Sequence, residues 1–213
     1  KKVGVTRLQT GDIALRKYLN EQGVDLSKIE FVELDSCASI IEAVKNGEVD
    51  IGSLYLTFRE VGEAQGLVAV KHLDELWPGF ICCRMVTTRE NLKVNRDAFV
   101  KVLKANIKAY NLIRTDREKT VQLAKNAIDL DESILLSQIY DYGHLEFSPN
   151  PSEKDTAAFY NSMVAIGYAE GNVNINDYID SSLFEEALNE LLDEDPNNEI
   201  YQGLKQDFEA TLF

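Results

Sequence analysis

The side chains of this sequence best suited to chemistry sit in four short stretches. The first is Thr6-Arg7-Leu8-Gln9-Thr10-Gly11-Asp12, directly after the apolar run Val3-Gly4-Val5. A helix opening there presents unpaired N–H donors and about half a positive charge, which suits a carboxylate, sulfonate or nitrate. Thr10 can donate its hydroxyl, Gly11 lets a ligand approach the backbone, and Arg7 can pair with an anion; Gln9 lies in the same loop. The competing roles are plain ones: Thr10 or Asp12 as a helix cap, and Arg7 in solvent. Asp12 also works against an anion, because its own charge occupies the positive helix end.

The second stretch is Asp35-Ser36-Cys37, where Ser36 reads first as a helix cap and Asp35 becomes a partner if the ligand is cationic or rich in donors. The third is Tyr55, whose ring can stack on a ligand or pack in the core. The fourth is Cys82-Cys83-Arg84. In an extended strand the two cysteines face opposite ways, one inward and one outward, which makes a bond between them awkward. Arg84 is open to two roles, counter-ion of a ligand or partner in a hinge salt bridge. Adjacent cysteines are poor metal ligands, even with His72 nearby in sequence, and no metal or cofactor is expected; His144 reads as structural.

These stretches gain meaning from the elements that would position them. Three apolar runs, at Val3–Val5, Ile29–Leu34 and Val49–Tyr55, each lead into a helix start. The helices are expected over 12–21, 38–45 and from Thr57, whose Thr57-x-x-Glu60 pattern is a capping box. Such alternation predicts an α/β unit with a parallel sheet and right-handed crossovers, so all three strand-to-helix loops emerge on one edge, where open α/β sheets bind ligands. Further strands are expected over 67–70 and 80–87. Beyond about Asn95 the pattern is almost wholly helical, with helix starts read at Thr115-x-x-Glu118, Asp129-x-x-Glu132 and Ser182-x-x-Glu185. The expected division is a ligand-binding α/β lobe over 1–87 and a helical region over 88–213.

Composition narrows the partners. With 22 basic against 36 acidic residues the formal charge is −14, which argues against nucleic acid as a partner. The acid run from Asp180 to Glu199 carries eight carboxylates and no Lys or Arg, and reads as a solvated helix face. Three cysteines give no zinc-ribbon spacing and no complete disulfide set. No apolar run approaches the length of a membrane span. The sequence opens almost directly on a strand, which suggests that it begins inside a longer protein.

The order of these pieces resembles the second lobe and C-terminal helices of type II periplasmic solute-binding proteins of ABC importers, in the nitrate/sulfonate/taurine-like group. The resemblance is carried by Lys2-Val3-Gly4-Val5, by Leu15 to Leu19 with Gly23 and Asp25, and by Ile41 to Asp50. Leu76-Trp77-Pro78-Gly79-Phe80 with Cys82-Cys83-Arg84, then Phe159-Tyr160, Gly167-Tyr168 and Tyr178 to Leu188, extend it over nearly the whole chain.

The resemblance implies a non-catalytic receptor outside the cytoplasm, periplasmic or lipid-anchored, that hands a small anionic or polar solute to a transporter permease. Apart from the resemblance, the strand-end loops and the stretch before Arg84 make Arg7, Gln9, Thr10, Gly11, Asp35, Ser36, Tyr55 and Arg84 the expected ligand contacts. Members of that group usually begin with a first lobe of their own, so a missing lobe or a dimer is expected to cover the apolar faces left bare. They often carry an aromatic residue followed by Glu-Pro-Phe where this sequence has Tyr55-Leu56-Thr57-Phe58. Two alternatives share the fold: an extracytoplasmic sensory domain, and an enzyme similar to the pyrimidine synthase of fungal thiamine biosynthesis, of whose cysteine motif Cys82-Cys83 is a thin echo.

Overall fold

A computed structural model describes residues 1–144 and 146–213. The chain forms two compact units, Lys1–Cys82 with Ala158–Val173, and Cys83–Ala157 with Asn174–Phe213.

In the first unit β1 (Lys2–Val5) lies between β2 (Glu30–Glu33) and β3 (Ile51–Gly52), all parallel. Val3 stands opposite both Phe31 and Ile51, and Gly4 opposite both Val32 and Gly52. Parallel neighbours need crossovers, supplied by α1 (Thr10–Glu21) and α2 (Cys37–Lys45). Each helix stops at a glycine in the left-handed region, Gly23 at φ +72° and Gly47 at φ +73°, which turns the chain back toward the next strand. Val3, Val5, Ile13, Ile40, Ile41 and Val49 form the core between sheet and helices. Burying each of these side chains contributes about 1.5–3 kcal/mol before the entropy of ordering is counted.

Several local expectations are corrected. A 3₁₀ turn at Leu56–Phe58 precedes α3 (Arg59–Ala64), and Thr57 does not cap it; Phe58 is the N-cap residue and makes no side-chain cap. Neither 67–70 nor 80–87 joins a sheet among the described residues, and Val68 and Val70 stand 79% and 73% exposed. A strand persists where a neighbour completes its hydrogen-bond ladder and its faces are covered, and those segments have neither. His72 instead opens α4 (Leu73–Leu76) in a capping box with Glu75, whose carboxylate accepts from the His72 backbone N–H at 3.0 Å.

The second unit is helical. Its axis is α5 (Arg89–Thr115), capped by Thr88 and kinked at Asn95. Next, α6 (Arg117–Ala127) is capped by Asp116, which accepts from the Lys119 N–H at 3.0 Å; Thr115 donates to the Asn111 carbonyl instead of forming the expected box. α7 (Glu132–Leu136) starts from Asp131 and runs into a π turn at Ser137–Asp141. α8 (Glu153–Ala165) passes from the second unit into the first. α9 (Ser182–Glu194) and α10 (Glu199–Ala210) pack on α5 through Phe184, Leu188, Leu191, Leu204 and Ile107. Here Ser181, not Ser182, is the α9 N-cap. The acid run faces cations of α5: Glu190 and Glu194 each accept from Lys104 at 2.8 Å, and Glu186 pairs with Arg96. Lys104 is held above its ordinary pKa by these hydrogen bonds, Glu190 foremost, and Glu194 below its own by Lys104.

Candidate functional site

The site is best built from β1 outward. After Val5 the chain turns through Leu8, which takes the left-handed conformation at φ +64°, and Gln9 becomes the extended N-cap residue of α1. The Gln9 side chain makes no cap hydrogen bond, and the first intrahelical bond runs from the Ile13 N–H to the Gln9 carbonyl at 3.1 Å. The first-turn N–H groups of Thr10, Gly11 and Asp12 are therefore the donors that a helix start leaves over.

Beneath this turn Asp12 is 1% exposed. Its carboxylate accepts from Arg16 Nε at 2.6 Å, from the Tyr168 hydroxyl at 2.8 Å and from the Leu8 backbone N–H at 3.2 Å. A buried charge persists when paired and hydrogen-bonded in this way. The Arg16 guanidinium lies 3.5 Å over the Phe31 ring and 5.1 Å from the Tyr168 ring centre. The Tyr168 hydroxyl is pushed up to about 12, first by burial, then by donating to Asp12 and by that carboxylate's charge. Asp12 thus anchors the loop rather than waiting for a ligand, and its charge meets the positive end of α1.

Around the same turn the structure gathers neutral hydroxyls and a thiol. A methyl built on Gly11 would lie 2.4 Å from Ser53 Oγ, so the α1 start and the end of β3 are in contact. The Thr10 hydroxyl donates to the Cys82 sulfur at 3.8 Å. On the next strand tip Ser36 accepts from the Ser39 N–H at 3.1 Å and caps α2, its plainer role. Tyr55, after β3, is 44% exposed and presents its ring on the surface. Arg7 shares its charge with Glu33, Nε to Oε1 at 3.1 Å, and lies 5.2 Å over the Tyr168 ring. Gln9 and Asp35 are exposed. Arg84 belongs to the other unit, where it donates to Thr156 Oγ1 at 3.1 Å and to the Cys83 carbonyl at 2.8 Å.

The parallel sheet places the loops bearing Thr10, Ser36 and Tyr55 at the C-terminal ends of adjacent strands, as the alternation of runs predicted. Sequence reasoning missed Ser53 and Tyr168. The Asp12–Arg16 spacing of four is a readable helical pair; Tyr168 lies 156 residues from Asp12 and gives no such signal. Both Cys82 and Cys83 are exposed, which corrects the inward and outward pair expected of a strand. Two grooves in this unit lie elsewhere: one of about 190 Å³ beside Asn20 and Asn161, one of about 470 Å³ at the opposite end of the strands beside Lys2 and Asp50. Thr10, Gly11 and Ser53 at the strand tips are half-buried. Among the described residues no cluster of three or more His, Cys, Asp or Glu could hold a metal, and no helix is long and apolar enough to cross a membrane.

Residues 1–120 match the family model described as NMT1/THI5 like. The chain belongs to this NMT1/THI5-like family. Its fold is similar to that of a ligand-binding component of an ABC-type import system from Staphylococcus aureus, crystallised with zinc bound, at a TM-score of 0.61 and 20% identity. The match covers 87% of this chain and 63% of that one, so the NMT1/THI5-like chain spans less than two thirds of the relative's length. No curated protein matches it. The periplasmic-binding-protein-like fold implied by the motifs, a parallel α/β sheet followed by helices, is thereby upheld.

Proposed function

We propose that this chain is part of a non-catalytic receptor that binds a small polar or singly anionic solute outside the cytoplasm and passes it to an ABC-type importer. The observation that carries the reading is the contact of Gly11 with Ser53 at the uncapped start of α1, with the Thr10 hydroxyl alongside. Backbone N–H groups and hydroxyls meeting at the strand tips of a parallel sheet can grip one oxygen-rich group. Asp12 and Arg16 neutralise each other below it, and Arg7 is half occupied by Glu33, so the site favours modest charge over a multiply charged anion. Ser36, Tyr55 and the exposed Gln9 and Asp35 supply the rim. The ABC-type import relative supports delivery to a permease. A catalytic role has less support, since the gathered groups are hydroxyls, amides and a thiol with no histidine base among them.

The reading is tested by calorimetry of the full-length protein against nitrate, sulfonates, carboxylates and pyrimidines. One class should bind, and Gly11→Ala should weaken it about tenfold or more, because the new methyl turns the Ser53 hydroxyl aside. Absence of heat with every class, or unchanged affinity in Gly11→Ala, would overturn it.

A further inference from the structure

Cys82 and Cys83 are neighbours in the chain and both are exposed, whereas Cys37 is buried. A ladder over 80–87 would have fixed the two side chains on opposite faces; no strand forms there among the described residues, so no sheet hydrogen bonds impose that alternation. The Thr10 hydroxyl donates to the Cys82 sulfur, which places this sulfur beside the first turn of α1.

We propose that Cys82 and Cys83 are a reversible thiol–disulfide pair that closes into a vicinal disulfide by exchange with a small disulfide, drawing the Cys82 sulfur away from Thr10. In the first step one cysteine thiolate attacks the small disulfide, forms a mixed disulfide and releases one small thiol. In the second, the neighbouring thiolate attacks the protein sulfur of that mixed disulfide, forms the ring and releases the other small thiol. The cysteine pair gives up two electrons and two protons, and the small disulfide is reduced to two thiols.

The geometry makes the bond reversible. Cα atoms across a trans peptide stand about 3.8 Å apart, shorter than the span of about 4.4–6.8 Å that ordinary disulfides occupy. The ring is therefore strained, and a strained, exposed disulfide is readily reduced. Ring closure needs no solute, so it stands apart from the receptor reading.

The test uses the whole reduced chain and glutathione disulfide as the probe. Intact mass should fall by two hydrogens with no adduct, two glutathione molecules should be released per chain, and dithiothreitol should restore both thiols. Peptide mapping should place the bond at Cys82–Cys83 with Cys37 still a thiol, and amide exchange at Thr10–Asp12 should change on closure. Cys83→Ser should stop at a glutathione adduct on Cys82. Stable adducts on both sulfurs of the wild type, a disulfide between two chains, or no reaction at this pair would each overturn the proposal.

Discussion

The Asp12 carboxylate sits at 1% exposure with three donors reaching it, and only one of them is a cation. Tyr168 is the donor whose protonation can be changed by pH. Its hydroxyl is raised to about 12 in the fold, against about 10 in an unfolded chain. The folded state therefore holds that proton more tightly, and the stability it contributes is complete below about pH 10 and lost as pH rises through about 12. Tyr168→Phe should lower stability at neutral pH by about 1 kcal/mol, the value of an ordinary hydrogen bond, since the residue is only half-buried. It should also flatten the alkaline loss between those two pH values relative to wild type. Denaturant midpoints on both sides of the window check this; two parallel curves would show that Tyr168 does not hold Asp12.

The helices and strands that carry the site depend on close approach at two glycines with different consequences. A methyl on Gly52 in β3 would lie 2.3 Å from Ile40 Cγ2 and 3.3 Å from Val44 Cγ2, against the buried face of α2. Gly52→Ala should cost about 1–3 kcal/mol, as overpacking of a filled core does, whereas Gly11→Ala meets a single hydroxyl that can rotate. Thermal unfolding of the two variants distinguishes them, and equal losses would mean that α2 does not press on β3. The crossovers themselves were legible because Gly23 and Asn46-Gly47 stop helices between apolar runs, and those runs fixed which loops share an edge. The capping boxes were less legible. Thr115 and Asp129 fit the pattern, yet Asp116 and Asp131, one and two residues on, hold the N-cap positions. Spacing does not say which of several polar residues takes the extended conformation. The hydroxyl of Ser53 and the ring of Tyr168 were invisible for another reason: their place depends on packing between distant parts of the chain.

Across the whole molecule, apolar side chains stand open to water in segments that the sequence reads as strand. Val68 and Val70 are 79% and 73% exposed, Met85 and Val86 51% and 87%. Continuous apolar runs such as Leu67 to Val70 suit a strand covered on both faces, and an extended segment with bare edges is a template for another chain. The charge of −14 opposes that pairing, but exposed charges are screened beyond about 8 Å at physiological ionic strength. We therefore expect the isolated chain to self-associate, more strongly at physiological salt than at low salt, unless a complementary lobe covers these segments. Light scattering over a concentration series checks it, with Val68→Lys plus Val70→Lys as the variant that should return a monomer with unchanged helical circular dichroism. The two lysines reduce the negative charge, so a purely electrostatic account predicts more association in the variant, and the apolar account predicts less. A wild-type chain that stays monomeric at every salt and concentration would remove the exposed segments as a contact surface.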